Sequence, residues 1–159
     1  MSEHKSGTTK YLAAAAAALV VVVILVFTVF DSEDESSSNY EERNMVMKSL
    51  GGAMKKLGAA VATGDTAEMQ NLANQISSSA VRMPALFEGQ GPSDQSRAKA
   101  EIWLNFDDFT AKANALKIAA DSVAADAADG KLGSDPTTIV GKIGATCGAC
   151  HKAYLGPKV

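Results

Sequence analysis

This chain has little cysteine, little histidine and no excess of either charge, and each shortage removes a class of function. A structural zinc site asks for four ligands of the Cys and His type. Here the two cysteines, Cys147 and Cys150, are joined by only two histidines, and His4 lies at the far end of the chain beyond an apolar span. The net charge over 159 residues is −3, and from Asn39 onward 13 Lys and Arg balance 13 Asp and Glu. No basic excess points to nucleic acid. No segment shows convincing strand-like alternation. No nucleophile paired with a base stands out, so a catalytic role has no separate support.

One long apolar run is present. Residues 11–30, Tyr11 to Phe30, carry no charge, and at about 1.5 Å per residue they span a bilayer core of about 30 Å. A cleaved secretory signal has a shorter apolar region and ends in a small-residue cleavage site. Here the alanines come first and the exit reads Phe27-Thr28-Val29-Phe30-Asp31. The run therefore reads as a transmembrane anchor. Lys5 and Lys10 precede it while Asp31, Glu33, Asp34 and Glu35 follow, which leaves the N-terminus in the cytoplasm by the positive-inside rule. The predicted organisation is a cytoplasmic head at 1–10, an anchor at 11–30, an acidic linker at 31–38 and one domain at 39–159. The linker has nothing to bury, and its eight residues reach at most about 29 Å.

The two cysteines stand in Cys147-Gly148-Ala149-Cys150-His151. This spacing fits covalent attachment of one c-type haem: both thiols add across the vinyl groups and the imidazole becomes an iron ligand. With both cysteines so used, no structural disulfide is available. A thioredoxin-like dithiol follows a strand and opens a helix, whereas Ile139, Val140, Ile143, Cys147, Cys150, His151 and Tyr154 recur at helical intervals. Asp135 followed by Pro136 is a helix start. The motif is thus predicted near the end of a C-terminal helix, facing the core.

Three further helices follow from periodicity. The first runs from about Tyr40 to Ala62, with the stripe Met47, Leu50, Gly51, Met54, Leu57, Gly58 and Val61 and a stop at Gly64. Asp65, with Glu68 three residues on, caps the second, whose stripe is Met69, Leu72, Ile76 and Met83, closed by Pro84. After a glycine- and proline-bearing connection to Gln95, the series Ile102, Phe106, Phe109, Ala113, Leu116, Ala120 and Val123 marks a third, longer helix that Gly130 ends. Four amphipathic helices with mostly short connections give an all-α, antiparallel up-down-up-down bundle. Trp103 fits either core or pocket wall.

His151 is the only histidine of the domain, so the other face of the iron falls to a methionine, a lysine or an open site. Met45 and Met47 differ by about 200° around a helix, and only Met47 lies on the apolar stripe. Met54, Met69 and Met83 read as packing residues. A methionine on an apolar stripe is also an ordinary core residue, and the pattern alone leaves Met47 open.

The order Arg43-Asn44-Met45-Val46-Met47-Lys48, Gly51-Gly52, Ile102-Trp103 and a C-terminal Cys-X-X-Cys-His resembles the class II c-type cytochromes, the cytochrome c-prime family, from about Asn39 to Leu155. That family is among the four-helix bundles. Its most specific element here is the C-terminal place of the haem motif, since most c-type cytochromes carry theirs near the N-terminus. In the family, the residue four after the first-helix arginine faces the distal side of the haem; it is often a bulky apolar residue that leaves iron five-coordinate, but in the low-spin branch it is methionine. The resemblance therefore implies a His151/Met47 ligand pair and an Arg43 that neighbours a haem propionate. A solvated Arg43 paired with Glu41 or Glu42 is the plainer alternative. The family is usually exported with a cleaved signal, from which the apparent anchor departs, and many members dimerise, which leaves a homodimer open.

The function so implied is a membrane-tethered electron carrier, not an enzyme. Its six-coordinate haem would exchange electrons with membrane or periplasmic redox proteins, and its domain would lie on the periplasmic side of the bacterial cytoplasmic membrane. A five-coordinate protein that binds nitric oxide or carbon monoxide is the first rival. A haem-free CxxC redox or interaction module is the second.

Overall fold

The computed structural model describes residues 39–132 and 136–157. The head, anchor and linker assigned to 1–38 lie outside the described residues, as does the Asp135 cap. Among the described residues no helix is long and apolar enough to cross a membrane.

Helix α1 occupies residues 39–63. Gly64 follows with φ +72°, a left-handed conformation that ends a helix without a Cβ clash. The side chain of Asp65 then accepts from the Glu68 N–H at 3.0 Å, satisfying one of the free donors at the start of α2, Thr66–Arg82. Pro84 opens a 3₁₀ turn, Pro84–Leu86, and an irregular segment leads to a short helix α3, Glu101–Leu104. Helix α4 is Phe106–Ala128 and helix α5 is Pro136–Tyr154.

The third helix is therefore not continuous from Ile102, as the periodicity predicts. Asn105 breaks it with φ −131° and ψ 48°. Its side-chain amide donates to the Glu101 carbonyl at 3.2 Å, the local competition by which asparagine disfavours helix interiors. The Asn105 carbonyl then accepts the Phe109 N–H at 3.0 Å, and α4 starts afresh.

Pairs across the bundle give its direction. Glu42 meets Arg82, and Ser49 meets Gln75, so α1 and α2 run antiparallel. Tyr154, at the end of α5, bonds Asp108 in the first turn of α4, so these two also run antiparallel. Leu57, Ile76, Phe109, Val123 and Ile143, the largest fully buried side chains, come from α1, α2, α4 and α5, so the helices share one core. Buried alanines, among them Ala73, Ala80, Ala113 and Ala120, let α2 and α4 approach closely.

The buried face of α1 differs from the predicted stripe. Val46, Leu50, Ala53, Leu57, Ala60 and Val61 are buried, Gly51 is exposed, and Met47, Met54 and Gly58 are half-buried. Met47 sits at one border of the apolar face rather than at its centre. Met69 and Met83 are core residues as read, and Met45 is 67% exposed.

Candidate functional site

At one end of the bundle the start of α1 and the end of α5 flank a cavity of about 510 Å³. Tyr40, Arg43, Asn44 and Met47 line it from α1, and Cys150, His151 and Tyr154 from α5. Phe87, Ile102 and Phe109 add an apolar wall, and residues 95–98 close a further side. Four of the five residues singled out in the sequence thus meet around one space: Arg43, Met47, Cys150 and His151. The fifth, Cys147, is half-buried against the core one helical turn earlier and does not line the cavity. Both cysteines are free, and burial pushes their thiols up from the ordinary value.

His151 departs from the prediction that the whole motif faces the core. Ile139, Ile143 and Tyr154 are buried, whereas His151 is exposed at the cavity edge. A stripe of three- and four-residue intervals covers a broad arc of a helix, and His151 occupies the border of that arc.

Arg43 is no solvated surface charge. It is only 6% exposed, and the glutamate nearest in sequence, Glu42, pairs with Arg82 instead. The Arg43 guanidinium lies 5.0 Å from the Phe87 ring centroid, a cation–π contact, and donates one long bond of 3.4 Å to the Leu86 carbonyl. Its Nε is buried with no partner. Burial lowers its pKa from the ordinary value, against a smaller opposing effect of Tyr40. A buried cation with an unused donor is costly unless an anion completes it. An anionic group in the cavity would supply that partner.

The remaining walls explain how α5 is held. Phe109 packs at a tilt of 59° and 4.9 Å against Phe87 and edge-to-face at 5.5 Å on Tyr154. The Tyr154 hydroxyl donates to the Asp108 carboxylate, which also accepts from Lys112. Opposite, residues 97–99 strap the end of α5. Lys99 N–H donates to the Tyr154 carbonyl at 3.0 Å, and Gly156 N–H donates to the Arg97 carbonyl at 2.7 Å. Arg97 and Lys99 side chains donate to the carbonyls of Gly156, Pro157 and Ala153. The Ala153 and Tyr154 carbonyls end α5 and would otherwise lack partners, those of Gly156 and Pro157 lie just beyond it, and cations suit that end of the dipole. An isolated antiparallel bridge, Ala98 to Leu155, is the result. Trp103 does not line the cavity: its Nε1–H donates to the Phe87 carbonyl at 2.8 Å and fixes the loop after α2.

The strap, Phe87 and Asp108 were not legible as site residues, because each acts through contacts more than 40 positions away in the chain. The donor set fits a covalently held haem: two thiols and an imidazole on one helix, a thioether on another, and a buried guanidinium in need of an anion.

The family model for cytochrome C' matches residues 38–155. Cytochrome c-556 of Agrobacterium fabrum (strain C58) is 38% identical over 118 residues, 72% of this chain and 78% of that protein. A cytochrome c' with an unusual ligand-controlled dimer dissociation superposes with a TM-score of 0.65 at 28% identity, covering 76% of this chain and 95% of its own. The cytochrome c' of Thermochromatium tepidum does so with a TM-score of 0.64 at 27% identity, over 76% and 95%. The four-helix bundle, the C-terminal Cys-X-X-Cys-His and the match over nearly the whole described domain place this chain in the cytochrome c' family of haem proteins.

Proposed function

We propose that this protein is an electron carrier with one haem, attached through Cys147 and Cys150 and ligated by His151 and Met47. The observation that carries this reading is that Met47 and His151, from opposite ends of the domain sequence, line the same cavity. The haem would supply one-electron chemistry at iron, and a thioether and imidazole ligand pair would raise its potential relative to other ligations. The chain's own contribution is to hold the two ligands on helices fixed by a shared core, to keep the wall of Phe87, Ile102 and Phe109 apolar, and to offer Arg43 to a haem carboxylate. Were His151 and Met47 both to bind the iron, no position on it would be left for substrate.

Residues 11–30 serve in this reading as a membrane anchor and 31–38 as its tether, which would keep the haem domain close to membrane redox proteins on the periplasmic side. Their apolar run and acidic flank support it. A homodimer gains support from the dimer of the structural relative.

The test is the absorption spectrum of the oxidised and reduced holoprotein, wild type against Met47→Ala. A low-spin wild-type spectrum with the weak far-red band of iron–thioether ligation, lost in the variant, is the expected result. A high-spin wild type that binds carbon monoxide rapidly when reduced, with no effect of Met47→Ala, would replace this reading with a gas-binding one.

A further inference from the structure

The balance of 13 cations against 13 acids conceals a division between two halves of the bundle. From Arg43 to Gly64 the chain has Arg43, Lys48, Lys55 and Lys56 and no acid. From Pro136 to Pro157 it has Lys142 and Lys152, with His151, and again no acid. All the acids but Glu41, Glu42 and Asp135 lie between Asp65 and Asp129, on α2, α4 and their connections.

Pairing sharpens the division. Every cation of that middle segment is engaged: Arg82 with Glu42, Lys112 with Asp108, Lys117 with Asp121 and Lys131 with Asp129. Arg97 and Lys99 serve the α5 carbonyls. Lys48, Lys55, Lys56, Lys142 and Lys152 are exposed and make no ion pair or hydrogen bond among the described residues. Five free positive charges thus stand on the two helices that flank the cavity, and Lys152 adjoins the exposed His151.

We infer that the outer surface of α1 and α5 is the docking face for an acidic redox protein, with electrons crossing beside His151. This rests on the electron-carrier reading and adds the chemistry of its partner. Unpaired, solvated lysines contribute little to fold stability, yet a cluster of one sign raises encounter rates with an oppositely charged partner and sets its orientation. An acidic protein fits better than the alternatives. A second copy docked through this face by a two-fold axis would set the same lysines against themselves. An anionic lipid surface matches the charge but accepts no electron from the His151 edge.

The experiment uses the full-length holoprotein, isotope-labelled for amide chemical-shift mapping, with poly-L-glutamate as the acidic probe and anionic phosphatidylglycerol vesicles as the lipid probe. Poly-L-glutamate should shift amides at Lys48, Lys55, Lys142, Lys152 and their neighbours, and the shifts should vanish in high salt. The triple variant K48E/K55E/K152E should bind it at least tenfold more weakly, while K131E, at the other end of α4, should bind as wild type. In parallel, oxidation of the reduced protein by ferricyanide, an anion, should slow several-fold in the triple variant and should slow with salt in the wild type. Shifts confined to α2 and α4, equal binding by the triple variant, or binding of vesicles but not poly-L-glutamate would overturn the proposal. The absorption spectrum separates the two readings: a high-spin wild type refutes the carrier without touching the charge map, and an unshifted α1 and α5 in a low-spin protein refutes the docking face alone.

Discussion

Replacing Tyr154 by phenylalanine tests whether the clamp at the end of α5 behaves as its geometry requires. The ring is 6% exposed, packed edge-to-face on Phe109, and its hydroxyl donates to the Asp108 carboxylate. Burial, and then the bond to Asp108 and its charge, push the phenol up to about 12, against about 10 in an unfolded chain. A raised tyrosine pKa means that the folded protein keeps a proton that the unfolded chain gives up. The stabilisation is therefore complete below about pH 10 and is lost as pH rises from about 10 to about 12. At neutral pH, Tyr154→Phe keeps the ring and loses one bond to a charged acceptor that water can partly replace. A cost of about 1–2 kcal/mol follows, or a Tm lower by about 4–8 °C for a domain of this length. Asp108 is held below the ordinary carboxylate range by Tyr154 and Lys112, so its share of the stability is present above the unfolded carboxylate pKa and disappears as pH falls through the folded one. Urea unfolding of both holoproteins, followed by far-ultraviolet circular dichroism from pH 3 to pH 12, gives the answer. Wild type and variant should differ most from pH 6 to pH 9 and converge at both extremes. Parallel curves up to pH 12 would refute the reasoning.

Removing the charge of Arg43 should lower the reduction potential, because a cation near the haem disfavours the oxidised iron. For Arg43→Leu the effect is on the order of 1 kcal/mol, or about 40 mV for one electron, with Arg43→Lys keeping most of the wild-type value. Potentiometric titration of the three proteins reads it, and an unchanged potential in Arg43→Leu would separate Arg43 from the haem. Leu57, 0% exposed, should cost about 2–5 kcal/mol on truncation to alanine, measured by chemical denaturation. Met45→Ala, at a 67% exposed position, should stay within about 0.5 kcal/mol and leave the absorption spectrum unchanged.

Most of the bundle was legible from local rules. Gly64, Asp65 and Pro84 act where they stand in the chain, through a positive φ, a side-chain acceptor and a missing donor, so the ends of α1 and α2 followed from the residues themselves. The break at Asn105 did not, because Ile102, Phe106 and Phe109 keep helical intervals across it and the amide that interrupts the helix carries no periodic signal. The haem motif was legible because covalent attachment fixes its spacing. That Met47 and Arg43 line a cavity was not legible from periodicity, since an apolar stripe cannot say whether its border faces solid core or open space. The plainer reading of Arg43 as a surface charge failed for a reason that composition cannot contain: Glu42 lies on the side of α1 that meets Arg82 of α2.

The contrast between those two neighbours explains how the site is kept. Glu42 ties α1 to α2, Tyr154 ties α5 to α4, and the 97–99 strap ties the end of α5 to the connection before α3. No direct bond is needed between the start of α1 and the end of α5, which are held apart by what each binds on its other side. That is the arrangement a large prosthetic group requires, since the space between the two helices must stay open while the walls stay rigid. It also explains the lone burial of Arg43. Within a bundle whose other described ion pairs sit at the surface, a buried guanidinium with an unpartnered Nε opposes folding of the bare chain, and an anion entering with a haem would offset that cost. A group that fills the cavity would thereby contribute to the stability of the fold that holds it.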